Sequence, residues 1–298
     1  MTREGAVSWG VMEVRPPQSE FRRIAKVFFS RKIAVVGLII VVAWAVAAIF
    51  APLLTPYDPY TPDLEQSLAQ PSREHLLGAD LIGRDILTRV IYGSRLAFMI
   101  CIVAVGSAAL IGSALGLVAA YYGGILNMVI MRLVDALMSI PMIVKALLLG
   151  ALLGGGMTST MIAIGFVLMS IYARLICGVA LSIKELDYVT AARAAGASNL
   201  RIILYHILPN SIAPLIVQIT LQLGFALLLE AAMSFIGVGV SPPAAAWGSM
   251  ISQGYEFLIR RPILCLAPGL AIMSLVFGFN MIGDGLRDAM DPRLRGTL

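Results

Sequence analysis

Charge is scarce in this sequence. Asp, Glu, Lys and Arg make up 13% of its 298 residues, about half the share of an ordinary soluble domain. Hydrophobic residues reach 59% and the mean hydropathy is +0.90. So much apolar surface cannot be hidden in one soluble core. That excludes a soluble enzyme, a disordered chain and a nucleic-acid-binding domain. Cysteine is scarce too. Cys101, Cys177 and Cys265 each sit in or beside an apolar run, so a disulfide framework is out and the thiols read as small buried hydrophobes. No cysteine pair has metal-ligand spacing, and two histidines, His75 and His206, cannot build a His-rich metal site. There is no G-x-x-x-x-G-K-[ST], no H-E-x-x-H and no serine elbow, so no P-loop, zinc-hydrolase or serine-hydrolase signature is available. What remains is an integral membrane protein. The net charge of +5 comes mostly from residues flanking apolar runs, where membrane proteins keep them.

Six apolar stretches are long enough to span a bilayer: 33–54, 94–120, 133–153, 157–177, 211–236 and 263–285. The first begins after a long polar stretch and exceeds a signal-peptide core, so no cleavable signal is expected and the run stays as an anchor. Only a few residues around Gly154-Gly155-Gly156 separate the third span from the fourth, which predicts a tight helical hairpin. Gly106, Gly112 and Gly116 in the second span are spaced for close helix packing. There is no low-complexity tract and no convincing internal repeat.

Basic residues set the orientation. With the N-terminus inside, 15 of the 22 Lys and Arg fall inside, six fall outside and Lys145 lies within a span. The positive-inside rule therefore places both termini in the cytoplasm. The expected plan is a cytoplasmic segment 1–32, a first span 33–54, an outer loop 55–93 with a short helix, a five-span core 94–285, and a cytoplasmic tail 286–298. Within the core, residues 178–210 form a cytoplasmic loop.

That loop is the most informative stretch. Asp187 is a plausible N-cap for the run DYVTAARAA, which is rich in helix formers. Gly196 breaks the run. Ser198 or Asn199 can cap a second run, LRIILYHIL, and Pro209-Asn210 opens the next span. The sequence thus draws two short helices with a glycine hinge. The first has an alanine surface, Ala191, Ala192, Ala194, Ala195 and Ala197, suited to lie in another protein's groove. The alternative is an amphipathic helix resting on lipid.

These residues resemble the EAA loop of ABC-importer permeases, whose pattern is Glu-Ala-Ala, three residues, Gly, nine residues, Ile, one residue, Leu-Pro. Ala191, Ala192, Gly196, Leu208 and Pro209 fall at the matching places, while Thr190 replaces the Glu and His206 the Ile. The ending His-x-Leu-Pro-Asn resembles the dipeptide/oligopeptide/nickel branch. Residues 75–95 resemble that branch's Gly-Thr-Asp-x-x-Gly-Arg-Asp-x-x-Ser-Arg segment, with Ala79 and Thr88 where Thr and Ser are usual. Residues 233–251 resemble its Gly-Leu-Gly-x-x-Pro-Pro-x-x-x-Trp-Gly segment. The resemblance covers nearly the whole chain after residue 20 and fits the second-permease type.

The resemblance implies an all-α, type I ABC-importer permease in a bacterial inner membrane. Its implied partners are a homologous permease, two cytoplasmic ATP-binding subunits, an extracytoplasmic substrate-binding protein and the lipid bilayer, with no nucleic acid. ATP and Mg would sit on the ATPases, and this chain itself would hold no cofactor and catalyse nothing. Asp187, Ala191, Ala192, Arg193, Gly196, Ala197, Arg201, Leu208 and Pro209 would couple to the ATPase.

Polar residues in the spans supply a candidate path. Gln218 and Gln222 lie about 40° apart on one helix, and Glu230 about 80° further round; Lys145 follows Pro141 and either snorkels or faces water. The other reading of the stripe is inter-helix hydrogen bonding. Asp135 is placed to pair with Arg132 three residues earlier. On the outer side, Pro242-Pro243 is expected to start a short helix over 242–252, with Trp247 at the interface. Pro242, Pro243, Trp247, Arg84 and Asp85 are candidates for an outer gate or binding-protein contact. Two rival functions remain: a secondary transporter, which usually carries repeats and broken helices, and an intramembrane hydrolase, which needs a nucleophile and base at membrane depth.

Overall fold

The computed structural model describes residues 20–290. The first 19 residues and residues 291–298, which include parts of the expected cytoplasmic N-terminal segment and tail, lie outside them. The described residues form helices α1 (Glu20–Ser30), α2 (Lys32–Leu54), α3 (Ile86–Tyr122), α4 (Gly124–Ser139), α5 (Met142–Leu152), α6 (Gly156–Lys184), α7 (Asp187–Ala194), α8 (Asn199–Ile202), α9 (Leu208–Ile236), α10 (Trp247–Gly254) and α11 (Ile263–Met290). Five helices are long and apolar enough to cross a membrane, and a bent pair, α4 with α5, makes a sixth candidate.

The centre of the bundle is α3 against α6. Small residues let the two backbones meet: a Cβ on Gly112 would sit 2.7 Å from the Tyr172 Cβ, and one on Gly116 would sit 2.5 Å from the Ala173 carbonyl oxygen. Gly106, expected to share that role, faces open space. Around this pair, α9 and α11 complete a core that includes Ile100, Ala104, Ile164, Leu168, Leu227, Met233 and Leu275. Helix α2 is apolar on every side and mostly exposed, as a peripheral span facing lipid must be. It docks on α11, where the Trp44 indole donates to Ser274 Oγ at 2.9 Å.

Two expectations about the spans change. Helix α3 starts at Ile86, well before residue 94, because Asp85 caps it by accepting the Thr88 N–H at 2.7 Å. At 37 residues it is about 55 Å long, so it projects beyond a bilayer core of about 30 Å. The third span is not one helix. Pro141 forces Ile140 out of helical geometry, and α4 and α5 meet at 95°.

Lys145 belongs to that bend. It is 7% exposed, and its Nζ donates to the Leu137 carbonyl at the end of α4. A cation there satisfies one of the orphan carbonyls of a helix C-terminus and faces the negative end of its dipole. Asp135 likewise pairs with Arg174 of α6 rather than with Arg132. An i,i+3 partner was available, but the bend turns α4 onto α6 and brings Arg174 closer.

Candidate functional site

Three regions carry the candidate residues. The first is the end of the bundle formed by residues 178–210. Helix α7 runs from Asp187 to Ala194, with Leu186, not Asp187, in the extended N-cap position. Asp187 instead sits in the first turn, where the dipole favours an acid. The helix closes with a Schellman turn: the Ala197 N–H reaches the Ala192 carbonyl at 3.1 Å and the Gly196 N–H the Arg193 carbonyl at 3.0 Å. Gly196 takes φ +82° to do so, the left-handed conformation open mainly to glycine.

Val189 is the buried anchor of α7, and Tyr188 beside it donates to the His206 carbonyl at 3.5 Å. Val189 is fully buried with Ile183 of α6, Ile202, and Ile203 and Ile207 beyond α8. The opposite face, Thr190, Ala191, Arg193 and Ala194, is exposed, and Ala192 and Ala197 are half-buried. Arg201 is exposed as well.

The second short helix is not separate. Helix α8 passes through a π-helical turn, Ile203–Ile207, straight into α9, giving a continuous run from Asn199 to Ile236. The wide turn precedes Pro209, which lacks the N–H an α-helix would aim at residue 205 and whose ring crowds that carbonyl. Pro209 therefore does not open the span; it is exposed within it, with Leu208 half-buried beside it. Sequence reading missed Leu200, Leu204 and Tyr205. They are 65%, 44% and 72% exposed and line an open groove of about 790 Å³ with Ser198, Arg201 and His206. The signal was present: a run apolar on both faces has one face left over once Ile202, Ile203 and Ile207 are buried.

The second region is the opposite end of the bundle. The loop 55–85 is fastened there by buried ions. Asp80 accepts from Arg84 Nε at 2.7 Å, and Arg84 donates onward to Gln253 at 3.2 Å. Gly83, at φ +82°, lets this turn close against the Asp63 carbonyl. His75 Nδ1 lies 3.0 Å from Asp85 Oδ1, with Tyr57 stacked on the imidazole. Arg89, the last residue of the matched outer motif and given no role by sequence, is 1% exposed and reaches three carbonyls: Pro59 at 2.7 Å, and Pro243 and Ala244 each at 3.4 Å. It ties the loop, α3 and the 237–246 segment together.

Trp247 is not an interfacial residue. It is 1% exposed, donates from its indole to the Val90 carbonyl at 2.9 Å and packs edge-on against Trp44. It also starts α10, so the helix begins after the prolines rather than with them. Arg84 and Asp85 are buried, whereas Pro242 and Pro243 are exposed. Of the five outer candidates, only the prolines present themselves directly at the surface.

The third region is the interior. Glu230 is 1% exposed and accepts from Ser234 Oγ at 2.7 Å; that hydroxyl in turn accepts the Val240 N–H at 2.9 Å. This chain of bonds fixes the turn that ends α9. Glu230 and Lys145 thus have structural partners, and of the candidate path residues Gln218 and Gln222 remain. Gln222 lines a cleft between α5, α9 and α11 that also holds Asn280.

Comparison with known proteins agrees with this architecture. Residues 112–296 match the family described as binding-protein-dependent transport system inner membrane component. Residues 19–71 match the N-terminal TM domain of oligopeptide transport permease C. The chain is 43% identical, over 95% of its length and 91% of the relative's, to the dipeptide transport system permease protein DppC of Alkalihalophilus pseudofirmus. It is 39% identical to the probable D,D-dipeptide transport system permease protein DdpC of Escherichia coli, covering 95% and 96% of the two chains. With the glutathione transport system permease protein GsiD of Pectobacterium atrosepticum it shares 36% identity over 95% and 93%.

Proposed function

This chain belongs to the family of binding-protein-dependent transport inner membrane components, and from that membership we propose that it carries di- or oligopeptides inward as one of two permeases. A binding protein delivers the solute at the end formed by Pro242, Pro243 and the loop 55–85. Two ATPase subunits engage α7 at the other end and supply the energy, since a permease of this family does not itself catalyse the reaction that drives it. Both termini lie on the ATPase side.

The observation that carries the reading is the mounting of α7. Its outer face is bare alanine, threonine and arginine, while Val189 locks it to α6 and to the helix that continues into α9. A push on α7 therefore tilts two spans at once. Asp187, Ala191, Ala192, Arg193, Gly196, Ala197 and Arg201 meet the ATPase groove, and Leu208 and Pro209 shape the helix that receives the motion. The ATPases' closure is transmitted as rigid-body rocking, and alternating access follows.

The test is reconstitution of the permease pair, ATPases and cognate binding protein in liposomes. Radiolabelled alanyl-alanine should accumulate only with ATP, Mg and the binding protein together. Accumulation driven by a proton or sodium gradient without ATP would overturn the reading in favour of a secondary transporter.

A further inference from the structure

Gln222 lies at the midpoint of α9, and the cleft it lines has a volume of about 280 Å³. The walls are apolar, from Met142, Phe225, Leu228 and Val276, and the polar groups are the carboxamides of Gln222 and Asn280. Gln222 is 8% exposed, yet neither carboxamide has a hydrogen-bond partner among the described residues. Gly224 leaves Asn280 uncovered, since a Cβ there would already touch Asn280 Oδ1 at 3.4 Å. Gln218, one turn earlier on the same face of α9, is half-buried and equally unpartnered.

An unpaired amide at membrane depth is costly, because hydrocarbon offers it nothing. The neighbouring charged groups do not supply the missing bonds. Glu230 is held by Ser234, Lys145 by the Leu137 carbonyl, and Asp135 by Arg174. What faces the cleft is therefore neutral. Each carboxamide offers both a donor N–H and an acceptor oxygen, which is the complement of a peptide bond. Such a surface grips a backbone amide and is indifferent to the charge of the side chains attached to it.

We propose that Gln222 and Asn280, with Gln218 as their continuation along α9, form a way-station that hydrogen-bonds the backbone amides of a peptide in transit. This rests on the reading of the chain as a peptide permease. It assigns a task to Asn280 that sequence patterning did not find, and it withdraws Glu230 and Lys145 from the path.

The test uses the complete complex in liposomes with radiolabelled alanyl-alanine, aspartyl-aspartate and lysyl-lysine, each loaded on the cognate binding protein. A Gln222→Leu/Asn280→Leu double variant should insert and copurify with the second permease and the ATPases. Its ATP hydrolysis should still respond to the binding protein, while alanyl-alanine uptake per ATP falls at least tenfold. Gln222→Asn should stay within about threefold of the unaltered chain. Gln222→Glu should raise the ratio of lysyl-lysine to aspartyl-aspartate uptake at least fivefold, a shift that a purely structural residue would not produce. Unchanged uptake by the double variant would overturn the inference. So would loss of the second permease from the purified complex, which would make these carboxamides a subunit contact. If the unaltered complex imports none of the three peptides, the peptide reading itself fails and the way-station falls with it.

Discussion

Arg89 is a buried guanidinium with three carbonyl acceptors from two separate segments of chain. Its charge has company, since Asp80 Oδ2 lies 3.6 Å from its Nε while also pairing with Arg84. Removing Arg89 leaves buried acceptors unpaired, at about 1–3 kcal/mol for each one that water cannot reach. Arg89→Met should therefore lower the thermal unfolding midpoint of the purified chain by several degrees. Arg89→Lys should recover little of the loss, because an ammonium cannot fork to carbonyls on both sides. A midpoint unchanged in Arg89→Met would show that the three carbonyls are served by something else. Gly196 is the counterpart at the other end. No atom crowds it within 4 Å, so a side chain there meets only the backbone penalty, about 1–2 kcal/mol for a left-handed residue. Gly196→Asn should be the mildest change, because Asn tolerates that region. Gly196→Val should leave the chain in the membrane but reduce binding-protein-stimulated ATP hydrolysis at least fivefold. Normal stimulation with Val at 196 would remove α7 as the coupling element. Thr190→Glu, on the exposed face of α7, should be tolerated by the same assay.

Elements were legible where their signals are local. The apolar runs, the helix before Gly196 and the glycines at the helix hairpin could all be read from neighbouring residues. Partner choice could not. Asp135 has an arginine three residues away and uses one 39 positions on, because the bend at Pro141 decides which helices face each other. Trp247 read as interfacial from its type, but its indole finds a carbonyl on α3 and is buried. Lys145 read as a cation that either snorkels or faces a water-filled path; the group it finds is a helix-end carbonyl, which sequence patterns do not display. Lys145→Met should thus destabilise the bent pair by about 1–2 kcal/mol and leave the ratio of lysyl-lysine to aspartyl-aspartate uptake unchanged. A shifted ratio would return Lys145 to the path. Gly112 and Gly106 make a matched pair on α3, one against α6 and one open. Gly112→Leu should cost at least about 1–3 kcal/mol through overpacking and lower the yield of folded protein. Gly106→Leu should be close to neutral, and equal losses at both sites would mean that the α3–α6 packing differs from that described.

At the scale of the whole molecule, the two ends of the bundle are built for different tasks. The end with the loop 55–85 is stiffened by buried ion pairs and a buried tryptophan, which lie beneath an exposed loop surface that includes the two prolines. The other end exposes an alanine helix, the large side chains of Leu200, Leu204 and Tyr205 among others, and Arg193 and Arg201, which have no ion-pair partner among the described residues. Packing also sharpens the charge argument for orientation. Of the six basic residues counted outside, Arg84 and Arg89 are buried beside Asp80 and hold the loop together. Their presence is explained by folding, so they weigh less against translocation of that segment than freely solvated arginines. The basic residues near the other end, among them Arg22, Arg23, Lys26, Arg31 and Lys32, cluster around the first span, where the positive-inside rule acts most strongly. A reporter that is active only in the cytoplasm should therefore score positive when fused after Leu298. A reporter active only outside should score positive when inserted after Ser241, in the exposed turn before Pro242. The two results have to agree, because a single span, α11, and the short helix α10 separate the insertion points. If both sites scored on the same side, α11 would not cross the membrane and the six-span topology would be wrong. If both scored opposite to expectation, the spans would stand but α7 would face outward, beyond reach of any cytoplasmic ATPase, and the proposed coupling would be physically impossible.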